Sequence, residues 1–396
     1  MSSQTSNETL FAITKEHLET GLRGFPVGYC TTSNVDPIKG LFYMGQPIEQ
    51  LAEKRPEEVI YLLYHGKTGS SAEVLEFSKD LQKRAKCSPE VIKHIQLLPR
   101  QGHPMELFSC ALLICGMFES KNNYREDCLN LIAKIPEIAA SVINYHAGWN
   151  SLKPSRPDLG YMENFTQMLN VPGGDAVALN KIFKLFNILH YDHSGGNLST
   201  FVGKAVASGL EDMYGSITAA MCALAGPRHG KANQDCLEFV EDVLKKVGEN
   251  ATADQVEVLI RKLLADNELV FGFGHAVLRV EDPRATVFYE AAESQFPNHP
   301  LVKITRLLRQ VGPKVLGENP KISNPYPNVD AISGTMLTAA GFPYPEYYTV
   351  LFGLSRVVGI AIQIVYERCE ARGGKGTPIV RPKYLFIPRD TVQPKV

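Results

Sequence analysis

The 396-residue chain has a single tryptophan, no C-x-x-C pair and no surplus of charge. Each absence excludes something. Lys and Arg total 41 against 42 Asp and Glu, a formal net charge of −1. No bulk field therefore draws the chain to nucleic acid or to an anionic membrane surface, and an anionic ligand would need a few placed cations. The eight cysteines (Cys30, Cys87, Cys110, Cys115, Cys128, Cys222, Cys236 and Cys369) are scattered, several in apolar helical runs such as Phe108–Met117. That fits reduced, buried thiols and argues against a disulfide framework or a structural zinc. Met1–Leu10 lacks the basic-then-apolar order of a signal peptide, and no arginine precedes Arg23. An Arg-rich transit segment is missing as well, so the expected location is the cytoplasm. Alternation of strand type is rare and short, with Gly40–Tyr43 and Ile379–Ile387 the best candidates.

What is present is helical. Asp235–Val247 places Cys236, Leu237, Val240, Val243, Leu244 and Val247 on one stripe of 3.6-residue period, and Gln255–Leu264 and Leu301–Leu308 repeat it. Ala176–Leu189 is apolar nearly all round, as a helix buried on every side should be. Two segments imitate membrane spans. Met105–Phe118 is too short to cross a bilayer. Tyr347–Tyr366 is long enough but carries Arg356 near its middle, which in lipid would cost about 2.5–3.5 kcal/mol. A core helix of a large helical protein is the expectation. Arg356 then becomes a cation buried in protein and needs an anion: an internal carboxylate on the plain reading, a carboxylate-bearing ligand on the sharper one.

Turns marked by glycine and proline fall at Ser194–Asn197, Ala225–Gly230, Phe271–His275 and Asn324–Gly334. Each contains or adjoins a His or Asp. His229 follows Gly226-Pro227 and precedes a helix expected from about Ala232, where the positive dipole end disfavours imidazolium. A neutral ring there can donate to a carbonyl oxygen gaining charge, or it is a turn histidine bonded to backbone. His275 follows Gly272-Phe273-Gly274, two glycines that let backbone approach a ligand, or form a tight turn and nothing more. Asp330 ends Asn324-Pro325-Tyr326-Pro327-Asn328-Val329, a stiff approach that suits a positioned base; it could equally cap the helix that follows. His190 and His193, three apart, raise a metal site, but no H-E-x-x-H or comparable carboxylate spacing accompanies them. Two imidazoles, a rigid carboxylate and buried arginines together suit carbon–carbon bond formation through an enol.

On these blocks the sequence resembles the citrate synthase family. Gly226-Pro227-Arg228-His229-Gly230-Lys231-Ala232-Asn233, Gly272-Phe273-Gly274-His275 with Arg279 and Asp282-Pro283-Arg284, Asn328-Val329-Asp330 with Ser333-Gly334, and Asp192-His193 with Asn197 look like its signatures, in the right order. The resemblance implies an all-α fold: a large helical domain of residues 1–230 and 338–396, and a smaller one of residues 231–337 closing over a cleft. It implies an acyltransferase of the tricarboxylic acid cycle joining acetyl-CoA to oxaloacetate. Asp330 would be the base, His229 the enol stabiliser and His275 the donor to the acceptor carbonyl. His193, Arg284 and Arg356 would hold carboxylates. Gly272, Phe273, Gly274 and Arg279 would line the CoA nucleotide. Arg381 would complete the neighbouring site of a homodimer. No metal and no cofactor is implied, the CoA thioester being a substrate. Phe271 stands where many members have proline, Ile332 where histidine is frequent, and Met44 where arginine is usual. None removes a catalytic group.

Three other readings compete. A 2-methylcitrate synthase would run the same chemistry on propionyl-CoA, a difference of one methylene worth only about 1–3 kcal/mol of selectivity. A metal-dependent hydrolase would use His190, His193, His229 and Asp330. A CoA-binding sensor would need no turnover.

Overall fold

The computed structural model describes residues 9–149 and 152–389. Among them lie sixteen α-helices, two short 3-10 helices and one three-stranded antiparallel sheet, so the fold is all-α as expected. Helix starts follow local chemistry. Asn123, Asp175, Asn197, Asp212 and Asp282 each accept a backbone N–H of the first turn of the helix they precede, which satisfies donors that the helix itself leaves unpaired. The helix Tyr124–Ala147 stops at Gly148, whose φ of 67° is left-handed.

The centre is the helix Tyr348–Cys369, packed against Tyr124–Ala147, Ala176–His190 and Leu198–Ser208. Its membrane-like run is wholly buried in protein. Nine aliphatic side chains on it (Val350, Leu351, Leu354, Val357, Val358, Ile360, Ile362, Ile364, Val365) are buried and contribute roughly 14–27 kcal/mol at about 1.5–3 each. That exceeds the several kcal/mol lost by burying one ion, so the helix tolerates Arg356, 1% exposed.

Five helices, Ala232–Val247, Ala253–Ala265, Pro283–Gln295, Pro300–Gly317 and Asp330–Ala339, pack chiefly on one another. Asp330–Ala339 also touches Ala176–His190, and Ala232–Val247 touches Tyr348–Cys369. The candidate loops lie where these two groups of helices meet.

The sheet pairs Ser33–Asp36 with Gly40–Tyr43, and the latter with Gln46–Pro47. It fastens the site from one side. Tyr43 Oη donates to the Ile188 carbonyl and accepts from Asp192 N–H, both at 3.1 Å.

Two expectations need correction. Ile379–Ile387 forms no strand: it is exposed, with Tyr384 and Phe386 each 90% exposed. A strand needs a partner's backbone, and among the described residues none is beside it. Ala176–His190 is buried all round only toward its C-terminal end; Val177 near its start is 82% exposed. Apolar composition alone does not report which turns lie under other elements.

Candidate active site

Two loops far apart in sequence are locked together by backbone. Gly274 N–H donates to the Tyr326 carbonyl (3.0 Å), Asn328 N–H to the Gly272 carbonyl (2.9 Å) and Asp282 N–H to the Pro327 carbonyl (3.0 Å). The Asn328 amide bridges them: Nδ2 donates to the Gly274 carbonyl at 3.0 Å, and Oδ1 accepts from Asp330 N–H at 3.0 Å. The glycine pair is needed here. Gly272 and Gly274 have φ of 82° and 86°, a region costly for other residues. A Cβ on Gly272 would lie 2.8 Å from Ala331 Cα and 2.9 Å from Cys236 Sγ. His275 and Asp330 therefore ride on one rigid unit.

The hydrogen bonds assign both histidine tautomers. His275 Nδ1 accepts from the N–H groups of Val277 (3.0 Å) and Leu278 (2.9 Å). A backbone N–H can only donate, so the ring's proton is on Nε2, which is left as a donor. At His229 the ends are reversed. Ser199 N–H donates to Nε2 at 3.3 Å, with Ser199 Oγ 2.9 Å from the same nitrogen, so Nδ1 carries the proton. Burial, reinforced by the Arg356 cation, pulls His229 down to about 4. Burial and Arg284 do the same to His275, also to about 4. Both rings are neutral donors at pH 7.

Arg284 is the hub. Its Nε and Nη2 pair with Asp282 Oδ1 and Oδ2 at 3.0 and 2.7 Å, and it lies close enough to act on His193, His275, Asp330 and Arg356. The His193 and His275 rings stand 5.1 Å apart. Burial holds His193 well below its usual range, and among the described residues its buried Nε2 has no hydrogen-bond partner. Asp330, first residue of its helix, is raised by burial to about 6, against the pull of Arg284. It is still mostly ionised at pH 7. The Arg356 guanidinium sits over Phe352, 4.7 Å from the ring centroid, and the His229 ring lies 6.1 Å from the same ring.

Arg356 has no ion pair among the described residues. Its Nε donates to the His190 carbonyl at 2.9 Å, and burial lowers it to about 10. The internal carboxylate of the plain reading is thus not its partner. Asp192, the anion acting on it most strongly, is engaged by Thr32 Oγ1, by Gln363 Nε2 (2.8 Å) and by His193 N–H (2.9 Å). A buried cation without its own counter-ion is built to receive one.

The remaining expected residues are engaged otherwise. His190 is a core ring: Nδ1 is 2.7 Å from the Phe186 carbonyl and the ring stacks on Phe186 at 4.1 Å. No group of three or more His, Cys, Asp or Glu side chains suited to a metal occurs among the described residues. Arg279 is exposed, and its Nη1 is taken up by the carbonyls of His275, Val277 and Leu278. The Phe273 ring lies against Gly312. Arg381 is exposed on the extended C-terminal segment.

Sequence reasoning missed Ser199, which orients His229, and Asp282, which is both helix cap and partner of Arg284. It also gave no role to Asn328. Asp282 and Asn328 stood inside recognised blocks. Nothing in the sequence marked Ser199, because its contact with His229 spans 30 residues.

The family model described as "Citrate synthase, C-terminal domain" matches residues 21–383. The chain belongs to the citrate synthase family. It is 37% identical over 391 residues to the mitochondrial citrate synthase of Citrus maxima, covering 93% of this chain and 81% of that one. It is 35% identical to that of Xiphias gladius, covering 94% and 82%. Solved citrate synthases match its fold: that of Thermotoga maritima with a TM-score of 0.79 at 28% identity, covering 94% of this chain and 96% of that one. A ternary complex of the Thermoplasma acidophilum enzyme with carboxymethyl coenzyme A and oxaloacetate gives 0.79 at 26%, covering 93% and 96%. As a citrate synthase family member the protein is an enzyme, an acyltransferase acting on a CoA thioester. The expected cytoplasmic location is overturned, since the curated relatives, those of Citrus maxima and Xiphias gladius among them, are mitochondrial enzymes. The physical reason is plain: address signals are read by receptors and leave no mark on the folded core.

Proposed function

We propose that the cluster condenses acetyl-CoA with oxaloacetate and water to citrate and CoA, with Asp330 as the base. Its carboxylate takes a proton from the thioester methyl, and the C–H electron pair moves toward the carbonyl carbon as the thioester oxygen gains charge. His229 Nδ1–H stabilises that oxygen, and His275 Nε2–H donates to the ketone oxygen of oxaloacetate. The enol carbon attacks the ketone, and water then cleaves the citryl thioester to release the CoA thiol. Arg356, Arg284 and His193 bind the acceptor carboxylates. No metal or redox cofactor takes part in these steps.

The observation that carries this reading is the opposed tautomers: two neutral rings, one left with its donor at Nδ1 and the other at Nε2, and a buried carboxylate raised toward its working range. Donors fixed before reaction need no reorganisation when charge develops, which is where such sites gain most of their rate. Residues 231–337 would form the smaller domain and close over the cleft, keeping water out until the carbon–carbon bond exists. A homodimer is proposed on the exposed segment bearing Arg381, whose Tyr384, Leu385, Phe386 and Ile387 would be covered by a second subunit, with Arg381 reaching its site. The Gly272–Gly274 turn and Arg279 would contact the CoA nucleotide, Arg279 after exchanging its present carbonyl partners.

Oxaloacetate-dependent release of free CoA, followed with acetyl-CoA and propionyl-CoA, tests the reading. Acetyl-CoA should give the higher kcat/KM, and Asp330→Ala should abolish turnover while leaving oxaloacetate binding. A propionyl preference would assign a 2-methylcitrate synthase instead, and near-normal turnover of Asp330→Ala would remove Asp330 as the base.

A further inference from the structure

Asn233 is the second residue of the helix Ala232–Val247, four positions after His229, and it is 1% exposed. A primary amide placed so deep needs partners. Its Nδ2 donates to Ser333 Oγ. Ser333 is itself fully buried and stands three residues after Asp330 on the same helix, one turn along the same face. The Asn233 amide also lies close enough to the Asp330 carboxyl to favour its ionised form. Among the described residues its Oδ1 has no hydrogen-bond partner, and a Cβ on Gly334 would come within 3.0 Å of it. Glycine at 334 is what lets the amide lie flat against the helix that carries Asp330.

We propose that Asn233 is a positioning residue for Asp330, its amide anchored on Ser333 and holding the carboxylate in register with the His229 loop. This rests on Asp330 being the base. An amide suits both states of that group. Its N–H donates to the carboxylate before proton transfer, and its otherwise unpaired Oδ1 can accept from the acid formed afterwards. The base and the enol-stabilising ring thus sit on separate elements joined by one side chain, and the join lies next to the reacting atoms. Besides Asn233, the charged and titratable groups facing Asp330 are Arg284, Asp282 and the Cys236 thiol.

The test is the pH dependence of kcat in Asn233→Leu, with Ser333→Ala and Asp330→Asn beside it. Losing the amide donor removes a contact that favours the ionised carboxyl. The acid limb of kcat should therefore move up by about one pH unit, and kcat at neutral pH should fall about tenfold or more with the KM for oxaloacetate little changed. Ser333→Ala keeps Asn233 but frees its anchor, and it should move the limb the same way by less. It also serves if Asn233→Leu fails to fold. If the limb stays put in the folded variants while Asp330→Asn is inactive, Asn233 is structural only and the base assignment stands. If Asp330→Asn remains active, the base assignment itself falls.

Discussion

Replacing Arg356 with methionine should leave the ligand-free enzyme as stable as before, or more so, while ruining its hold on oxaloacetate. Arg356 is 1% exposed, and burial brings it from 12.5 down to about 10. A shift of that size corresponds to about 3 kcal/mol of penalty on the charged form. Methionine is shorter than arginine but flexible, and it fills most of the space without charge. Against this gain stands the His190 carbonyl, which loses its Nε donor at 2.9 Å and costs about 1–3 kcal/mol if left unpaired. The net lies between about zero and +2 kcal/mol. With an unfolding entropy of about 2.1 cal/mol/K per residue, a chain this long would show a Tm rise of at most about 2–3 °C. Asp192, losing a neighbouring cation, takes up a proton more readily. Oxaloacetate would lose charge-assisted hydrogen bonds of about 1.5–3 kcal/mol each; two of them amount to a 10²- to 10⁴-fold weaker complex, in order of magnitude. Calorimetry with and without oxaloacetate separates the two effects. A fall of more than about 5 °C without ligand, or a ligand-induced rise equal to the wild type's, would refute the view that this cation is held in reserve for a ligand.

The pH profile of the wild-type enzyme follows from the same cluster. As the proposed base, Asp330 must be ionised to act, and it sits at about 6, so kcat should fall as pH drops through 6, tenfold per unit below it. His229 and His275, at about 4, stay neutral there and add no limb above pH 5; a single limb near 4 would place the base elsewhere. Gly272→Ala should destabilise the fold by about 2 kcal/mol or more, since it meets both a φ of 82° and a backbone atom at 2.8 Å. A urea-unfolding loss under 1 kcal/mol would show that the two loops are not pinned as described.

What the sequence determined by itself is local. Periodic apolar residues set the helices, because a 3.6-residue stripe has one stable way to be buried. The apolar run around Arg356 read as a core helix because one central guanidinium is a poor fit to lipid. His229, His275 and Asp330 stood out because glycine and proline leave a readable signature wherever backbone is bent or stiffened. Only the tertiary structure decided what those groups are chemically. Which nitrogen of each histidine carries the proton depends on Ser199 and on the Val277 and Leu278 amides. Whether Arg356 owns a counter-ion depends on Thr32 and Gln363 engaging Asp192 first. Protonation and pairing are set by burial and by neighbours far along the chain, and neither has a period or a spacing that a sequence can display.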